Sequence, residues 1–261
     1  MNQGQLRSRR FGGLIRMAGL GLMTAGGLAC GNGQPQGERQ VGSAGDGQAQ
    51  SPATASDSAS AHRLALRQPA NFQETAPQRF QVRILTTKGE FVVEVHREWA
   101  PRGADRFYNL VKAGWYDGVP FHRVREGFAA EWGINPDPWL NVGWRQAELQ
   151  DDPVRESNLR GRVSFAKNRP HSRTTQLFVN LRDNSENLDP LAFAPIGEVV
   201  EGMEVLDRLY AGYGDGPPRG EGVYQAMAIA RGDEYFADFP LLDRIVRAEL
   251  ADSPLAAEED S

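Results

Sequence analysis

Two short strand-like runs carry the residues best placed to do chemistry. In Gln176-Leu177-Phe178-Val179-Asn180-Leu181, the residues Leu177, Val179 and Leu181 share one face at period two. Gln176 and Phe178 must then share the other face. In Phe121-His122-Arg123-Val124, Arg123 lies on the face of Phe121, and Phe128 follows shortly. Each residue alone is ordinary, since a strand arginine is usually a surface residue and an outward phenylalanine usually sits under a loop. Their joint occurrence points to a groove with aromatic walls, an amide and one guanidinium.

Other chemistries are poorly served. The histidines His62, His96, His122 and His171 have no metal-ligand spacing. Ser164-Phe165-Ala166-Lys167 has the S-x-x-K form of a serine nucleophile, but that serine should start a helix, this one falls in a strand, and partner motifs are missing. Gly212-Tyr213-Gly214-Asp215-Gly216 resembles a phosphate loop only in composition, lacks the lysine, and reads as a turn after a helix. Asp151-Asp152 precedes Pro153 and reads as a solvated turn rather than an acid/base pair.

These residues need a scaffold. Phe80, Val82 and Ile84 alternate with polar neighbours, Thr87-Lys88-Gly89-Glu90 supplies a turn, and Phe91, Val93 and Val95 line a second strand. Pro101 opens a helix with Ala104, Phe107 and Val111 at helical spacing, and Gly114 closes it. Further strands are expected at Phe121–Val124, Arg162–Ala166, Gln176–Leu181, Ile196–Val200 and Arg244–Leu250. A second helix is expected from Gly202 to Tyr210, burying Met203, Leu206 and Tyr210. Many short strands with two helices predict a mainly β fold, a closed antiparallel barrel capped by two α-helices.

The chain has 261 residues, a formal charge of −5 and one cysteine. The lone Cys30 excludes an internal disulfide framework, and the acidic balance argues against nucleic acid as a ligand. Residues 1–29 combine a basic start (Arg7, Arg9, Arg10) with a Gly/Leu/Met/Ala stretch ending in small residues before Cys30. That is the layout of a lipoprotein export signal, with Cys30 as the lipidated residue. It places the protein in the cell envelope, held to a membrane by its N-terminal lipid. Residues 30–78 are about two-thirds Gly, Gln, Ala, Ser and Pro and read as a disordered tether. The folded domain is expected over residues 79–250, followed by an acidic disordered tail, residues 251–261.

The groove residues sit within longer motifs. Tyr116-Asp117-Gly118, Phe121-His122-Arg123-Val124 and Gly127-Phe128 come first, then Gly161 to Ala166 with Thr175 to Asn180, then Phe193-Ala194-Pro195-Ile196-Gly197 with Val205-Leu206-Asp207. In order and spacing these resemble the three signatures of the cyclophilins, peptidyl-prolyl cis-trans isomerases, across roughly residues 79–250. The resemblance implies an eight-stranded antiparallel barrel closed by two helices. It also implies isomerisation of X–Pro bonds in proline-containing segments of unfolded proteins, by a monomer that needs no cofactor.

Carried over position by position, Arg123 corresponds to the catalytic arginine. Phe128, Ala129, Phe178, Leu188 and Phe193 fall where the family lines its proline pocket, and Glu131, Ala166, Lys167 and Gln176 where it contacts the substrate backbone. Glu131 replaces a usual glutamine, Ala129 a methionine, Lys167 an asparagine and Phe193 a histidine, while Asn187 stands where some members have tryptophan. In a partly exposed groove Glu131 would accept from Arg123 and have a depressed pKa. These departures motivate a rival reading, a proline-segment binding module or holdase with little turnover. A second rival is a structural envelope lipoprotein that uses the barrel only as a scaffold.

Overall fold

The structure, a computed structural model, describes residues 55–251. The export signal, Cys30, the first part of the tether and all but the first residue of the tail lie outside the described residues. The elements in chain order are α1 (Ala55–Leu66), β1 (Arg79–Thr86), β2 (Gly89–His96), α2 (Pro101–Lys112), β3 (Arg123–Arg125), β4 (Ala129–Trp132) and α3 (Pro138–Trp144). They continue with β5 (Arg162–Phe165), β6 (Leu177–Asn180), α4 (Ser185–Leu188), β7 (Pro195–Glu201), α5 (Met203–Asp207), α6 (Gln225–Arg231), α7 (Asp233–Phe236) and β8 (Ile245–Leu250).

The strands form one antiparallel sheet in the order β3-β4-β6-β5-β7-β2-β1-β8. The expected hairpin is β1–β2, with Phe80 opposite Val95, Val82 opposite Val93 and Ile84 opposite Phe91. All six of these side chains are buried, because period-two alternation puts them on the concave face. Helix α2 starts on Pro101 and lays Ala104, Phe107, Leu110 and Val111 into the same core. Its Gly103 is a spacing requirement: a Cβ there would lie 2.7 Å from Cγ2 of the buried Ile196.

Three expectations need correction. The sheet is an open half-barrel rather than a closed barrel, with β3 and β8 as its edges. The segment before β3 meets the start of β8 through the isolated bridge between Pro120 and Arg244 and three flanking backbone hydrogen bonds. In these, Gly118 N–H donates to the Ile245 carbonyl, Ile245 N–H to the Val119 carbonyl and Phe121 N–H to the Asp243 carbonyl. Strand β3 itself does not pair with β8. Proline has no N–H to extend a ladder, and β3 is three residues long. The cap exceeds two helices, with seven α-helices among the described residues. Those missed are one or two turns long except α1, too short for a helical period to show. Helix α5 stops at Asp207 and buries Val205 and Leu206, while Met203 and Tyr210 are only half-buried.

The third correction concerns residues 55–78, which are not simply tether. Helix α1 ends on the buried Leu66, whose carbonyl accepts from Trp144 Nε1 at 2.7 Å. Asn109 then binds both backbone groups of Glu74, and the Ala76 N–H donates to Asp105 Oδ1 at 2.8 Å. Composition misled here because a few anchors, not an apolar period, hold the segment down. A chain beginning at Arg79 should therefore be less stable than one beginning at Ala55 by at least about 2 kcal/mol, the scale of burying one leucine side chain. Equal urea midpoints for the two lengths would show that these contacts contribute nothing.

Candidate functional site

The groove follows from register. Arg123 in β3 lies opposite Glu131 in β4, Glu131 opposite Phe178 in β6, and Phe178 opposite Ser164 in β5. Directly opposed residues of antiparallel strands point to the same face, so these four make one row across four strands. Leu177 and Val179 go to the main core instead, with Ala130 and Trp132. Burial on both faces therefore marks β4 and β6.

A separate apolar cluster covers the outer face. Ala129, Phe178 and Leu188 are its buried members, with Phe128, Ala166 and Phe193 packed against them. Phe178 and Phe193 meet edge to face at 5.7 Å between centroids. The structure thus gathers into one patch six of the residues that the sequence assigned to substrate contact. Gln176 flanks the patch, half-buried, its carbonyl accepting from the Ala166 N–H at 2.9 Å.

Arg123 borders the cluster, its guanidinium 5.5 Å from the Phe128 ring centroid. Nη1 donates to Glu131 Oε1 and Nε donates to Asp215 Oδ1 at 2.5 Å. Burial disfavours the charge on Arg123, but these two carboxylates outweigh it and raise its pKa. Glu131 departs from expectation. Its carboxyl is buried, and desolvation raises its pKa against the lowering pull of Arg123, so it is not depressed. His122 lies 3.8 Å from Glu131 Oε2. Burial, with the Arg123 charge beside it, lowers its pKa to about 3, so it is neutral and offers Glu131 no counter-charge.

Lys167 does not extend into the groove as a free donor. Its ammonium donates to Asp151 Oδ2 and to the Ala192 carbonyl, both at 2.8 Å, and ties two loops together. Asn187 is exposed on α4. Sequence reasoning missed the groove's polar support. Asn158 donates to the Phe193 carbonyl at 2.7 Å, Asn184 to the Phe128 carbonyl at 2.9 Å, and Asn180 joins them through side-chain hydrogen bonds. No pattern in one sequence marks such asparagines. Asp215 was also missed as a site residue, because its segment reads as an ordinary glycine-rich turn.

No group of three His, Cys, Asp or Glu side chains among the described residues is arranged to hold a metal ion. A cleft of about 550 Å³ lies elsewhere, lined by His62, Arg63, Asp117, Asp137 and Asp233 among others. It shares no residue with the groove.

Comparison with known proteins gives a consistent picture. A family model described as cyclophilin type peptidyl-prolyl cis-trans isomerase matches residues 81–230. A peptidyl-prolyl cis-trans isomerase of Streptomyces antibioticus is 33% identical over 139 residues, covering 49% of this chain and 81% of the relative. Peptidyl-prolyl cis-trans isomerase B of Escherichia coli is 29% identical over 136 residues, covering 48% and 80%. A cyclophilin-type isomerase of Cryptosporidium parvum, crystallised in the presence of the dipeptide Ala-Pro, is similar at 18% identity and a TM-score of 0.47. That similarity covers 66% of this chain and 99% of the other.

The Glu131 carboxyl supplies a test of the groove's burial. Its folded pKa lies above the usual glutamate value. Its contribution to stability is therefore fully present below the unfolded pKa and is lost as pH rises through the folded one. A ¹³C NMR titration should find that raised pKa, and Arg123→Ala should raise it further by removing the charge and hydrogen bond that oppose desolvation. A wild-type value at or below an ordinary glutamate would mean that water reaches the carboxyl.

Proposed function

The chain belongs to the cyclophilin-type peptidyl-prolyl cis-trans isomerase family, and on that premise we propose that its groove turns X–Pro bonds of exported proteins while Cys30 holds it to a membrane. The observation that carries the catalytic part is the position of a charged, half-buried Arg123 beside an apolar cluster separate from the core.

The chemistry is rotation. Amide resonance holds an X–Pro bond behind a barrier of ~18–20 kcal/mol. Twisting the bond removes that resonance and returns a lone pair to the prolyl nitrogen. A guanidinium donor aimed at this nitrogen binds the twisted state more strongly than the planar one, which is the condition for acceleration. Phe128, Ala129, Phe178, Leu188 and Phe193 seat the proline ring, and Gln176 and the Ala166 backbone stand at its flank to hold the peptide. The step needs no nucleophile, metal or proton transfer.

The substrates are proline-containing segments of unfolded or partly folded proteins, and we take the isomerase to be a monomer. The envelope role is supported by the basic start, the small residues before Cys30 and the placement of the only cysteine there. No helix among the described residues is long and apolar enough to cross a membrane. A second reading, a groove that grips proline segments with little turnover, is favoured by one observation: Glu131 and Asp215 both occupy the arginine. A turnover measurement separates the two.

With an Ala-Pro peptide, Arg123→Ala should lower kcat/KM by about 10²-fold, the usual cost of one lost transition-state donor. Turnover should be scored per folded molecule, since the substitution also leaves buried Glu131 without its partner. Unchanged turnover would remove Arg123 from the mechanism, and wild-type protein that binds the peptide without turning it over would favour the holdase. For the anchor, Cys30→Ser should abolish fatty-acid labelling and shift the protein from the membrane fraction to the soluble one. A serine variant that still fractionates with membranes would sink the lipid-anchor proposal.

A further inference from the structure

Asp215 belongs to no motif of the family resemblance, yet its carboxylate reaches Arg123 across 92 residues of sequence, 2.5 Å from Nε. The segment that presents it is firmly built. Tyr213 is wedged edge-on between the rings of Tyr210 and Phe239, at 5.0 and 5.1 Å between centroids. At the far end Val223 is buried in a small core with Ile134, Ala228 and Phe236. Between these anchors the backbone folds back on itself, and Gly222 N–H donates to the Asp215 carbonyl at 3.0 Å. A Cβ at Gly220 would lie 2.2 Å from that same carbonyl oxygen, and one at Gly216 would lie 2.1 Å from the Val223 carbonyl oxygen. Only glycine fits either approach. The glycines of this turn therefore fix where Asp215 stands.

The two carboxylates on Arg123 are not equivalent. Glu131 takes Nη1, a terminal amine, from the paired strand β4. Asp215 takes Nε, the nitrogen nearest the side-chain stem, from a separate segment. A planar guanidinium held at Nε and at Nη1 by two independent elements cannot swing about its stem. Nη2 has no hydrogen-bond partner among the described residues. Arg125, the other cation near Asp215, is exposed, and its Nη1 stands 3.9 Å from Oδ2.

We propose that Asp215 is a positioning residue for the isomerisation, fixing the Nε end of Arg123 so that Nη2 is the donor offered to the prolyl nitrogen. The proposal rests on the isomerase reading and adds a residue to it. An acceptor oxygen at this position matters more than its charge, because the task is to set the plane of the guanidinium. Displacing a reacting group by a fraction of an ångström is costly without any change in substrate affinity.

The test compares Asp215→Ala and Asp215→Asn with wild type, using an Ala-Pro peptide and ¹⁵N–¹H NMR of the Arg123 side chain. Asp215→Ala should lower kcat about tenfold with KM within about twofold, and the slowly exchanging Arg123 Nε–H signal should be lost. Asp215→Asn, whose side-chain oxygen still accepts from Nε, should keep that signal and stay within about threefold of wild-type kcat. A purely structural tie would instead lower the melting temperature in both variants and leave kcat per folded molecule unchanged. That result, a faster Asp215→Ala enzyme, or an Nε–H signal indifferent to the substitution would each overturn the proposal. If the wild type itself shows no turnover, the isomerase reading fails, and the Nε–H signal still decides whether Asp215 holds the arginine.

Discussion

Strands β4 and β6 are buried on both faces, and the site depends on that constraint. A strand with one wet face can send polar residues outward at little cost. Here Leu177 and Val179 on one side, and Phe178 on the other, are all withdrawn from water. The alternation that fills the core therefore also builds the groove, and a slip of one residue in β6 would exchange the two sets of side chains. Pairing carries the same alternation to Glu131 and Arg123. The groove is thus the back of the core rather than a loop added to it.

Covering the outer face of a sheet leaves polar groups to satisfy, and the asparagines do this. Asn158, Asn180 and Asn184 are fully buried, and an unpaired amide at such a depth would be costly. They satisfy one another and finish on the carbonyls of Phe193 and Phe128. The two walls of the groove are therefore pinned at the backbone beside their half-buried rings. Asp189 adds to this by accepting from both the backbone and the side chain of Asn158.

What the sequence revealed follows from the range of each signal. Period two is local, so the faces of β1, β2 and β6 could be read directly, and Arg123, Phe128 and Phe178 with them. Strand β4 hid because Ala129-Ala130-Glu131-Trp132 is buried on both sides and shows no alternation. The burial of Glu131 hid for the same reason, and its pKa was expected on the wrong side. Asp215 hid because its partner is far along the chain, and a glycine-rich turn carries no sign of what its one acid touches. Closure of the barrel was an inference from strand number, whereas β3 is three residues long and pairs with β4 alone. The ordering of residues 61–78 was masked by a composition typical of tethers, since composition does not register a few hydrogen-bonded anchors.

The two charged departures from the family pattern meet opposite fates, and the difference is physical. Lys167 stays at the groove's wall, 5.2 Å from the Phe193 ring centroid, but its long stem lets the ammonium find Asp151 and the Ala192 carbonyl as partners away from Arg123. Glu131 cannot leave, because its strand is buried on both faces and its carboxyl has Arg123 as its hydrogen-bonding cation, with a neutral His122 behind it. A carboxylate in that position is tolerable only while the guanidinium stays beside it. The cation that we propose for the rotation is therefore also committed to the fold. A second acid at Nε strengthens that commitment and narrows the orientations open to the guanidinium. Arg123 is in this way less free than a lone arginine in an apolar groove, and what it can do for a substrate depends on the nitrogen that its two acids leave uncovered.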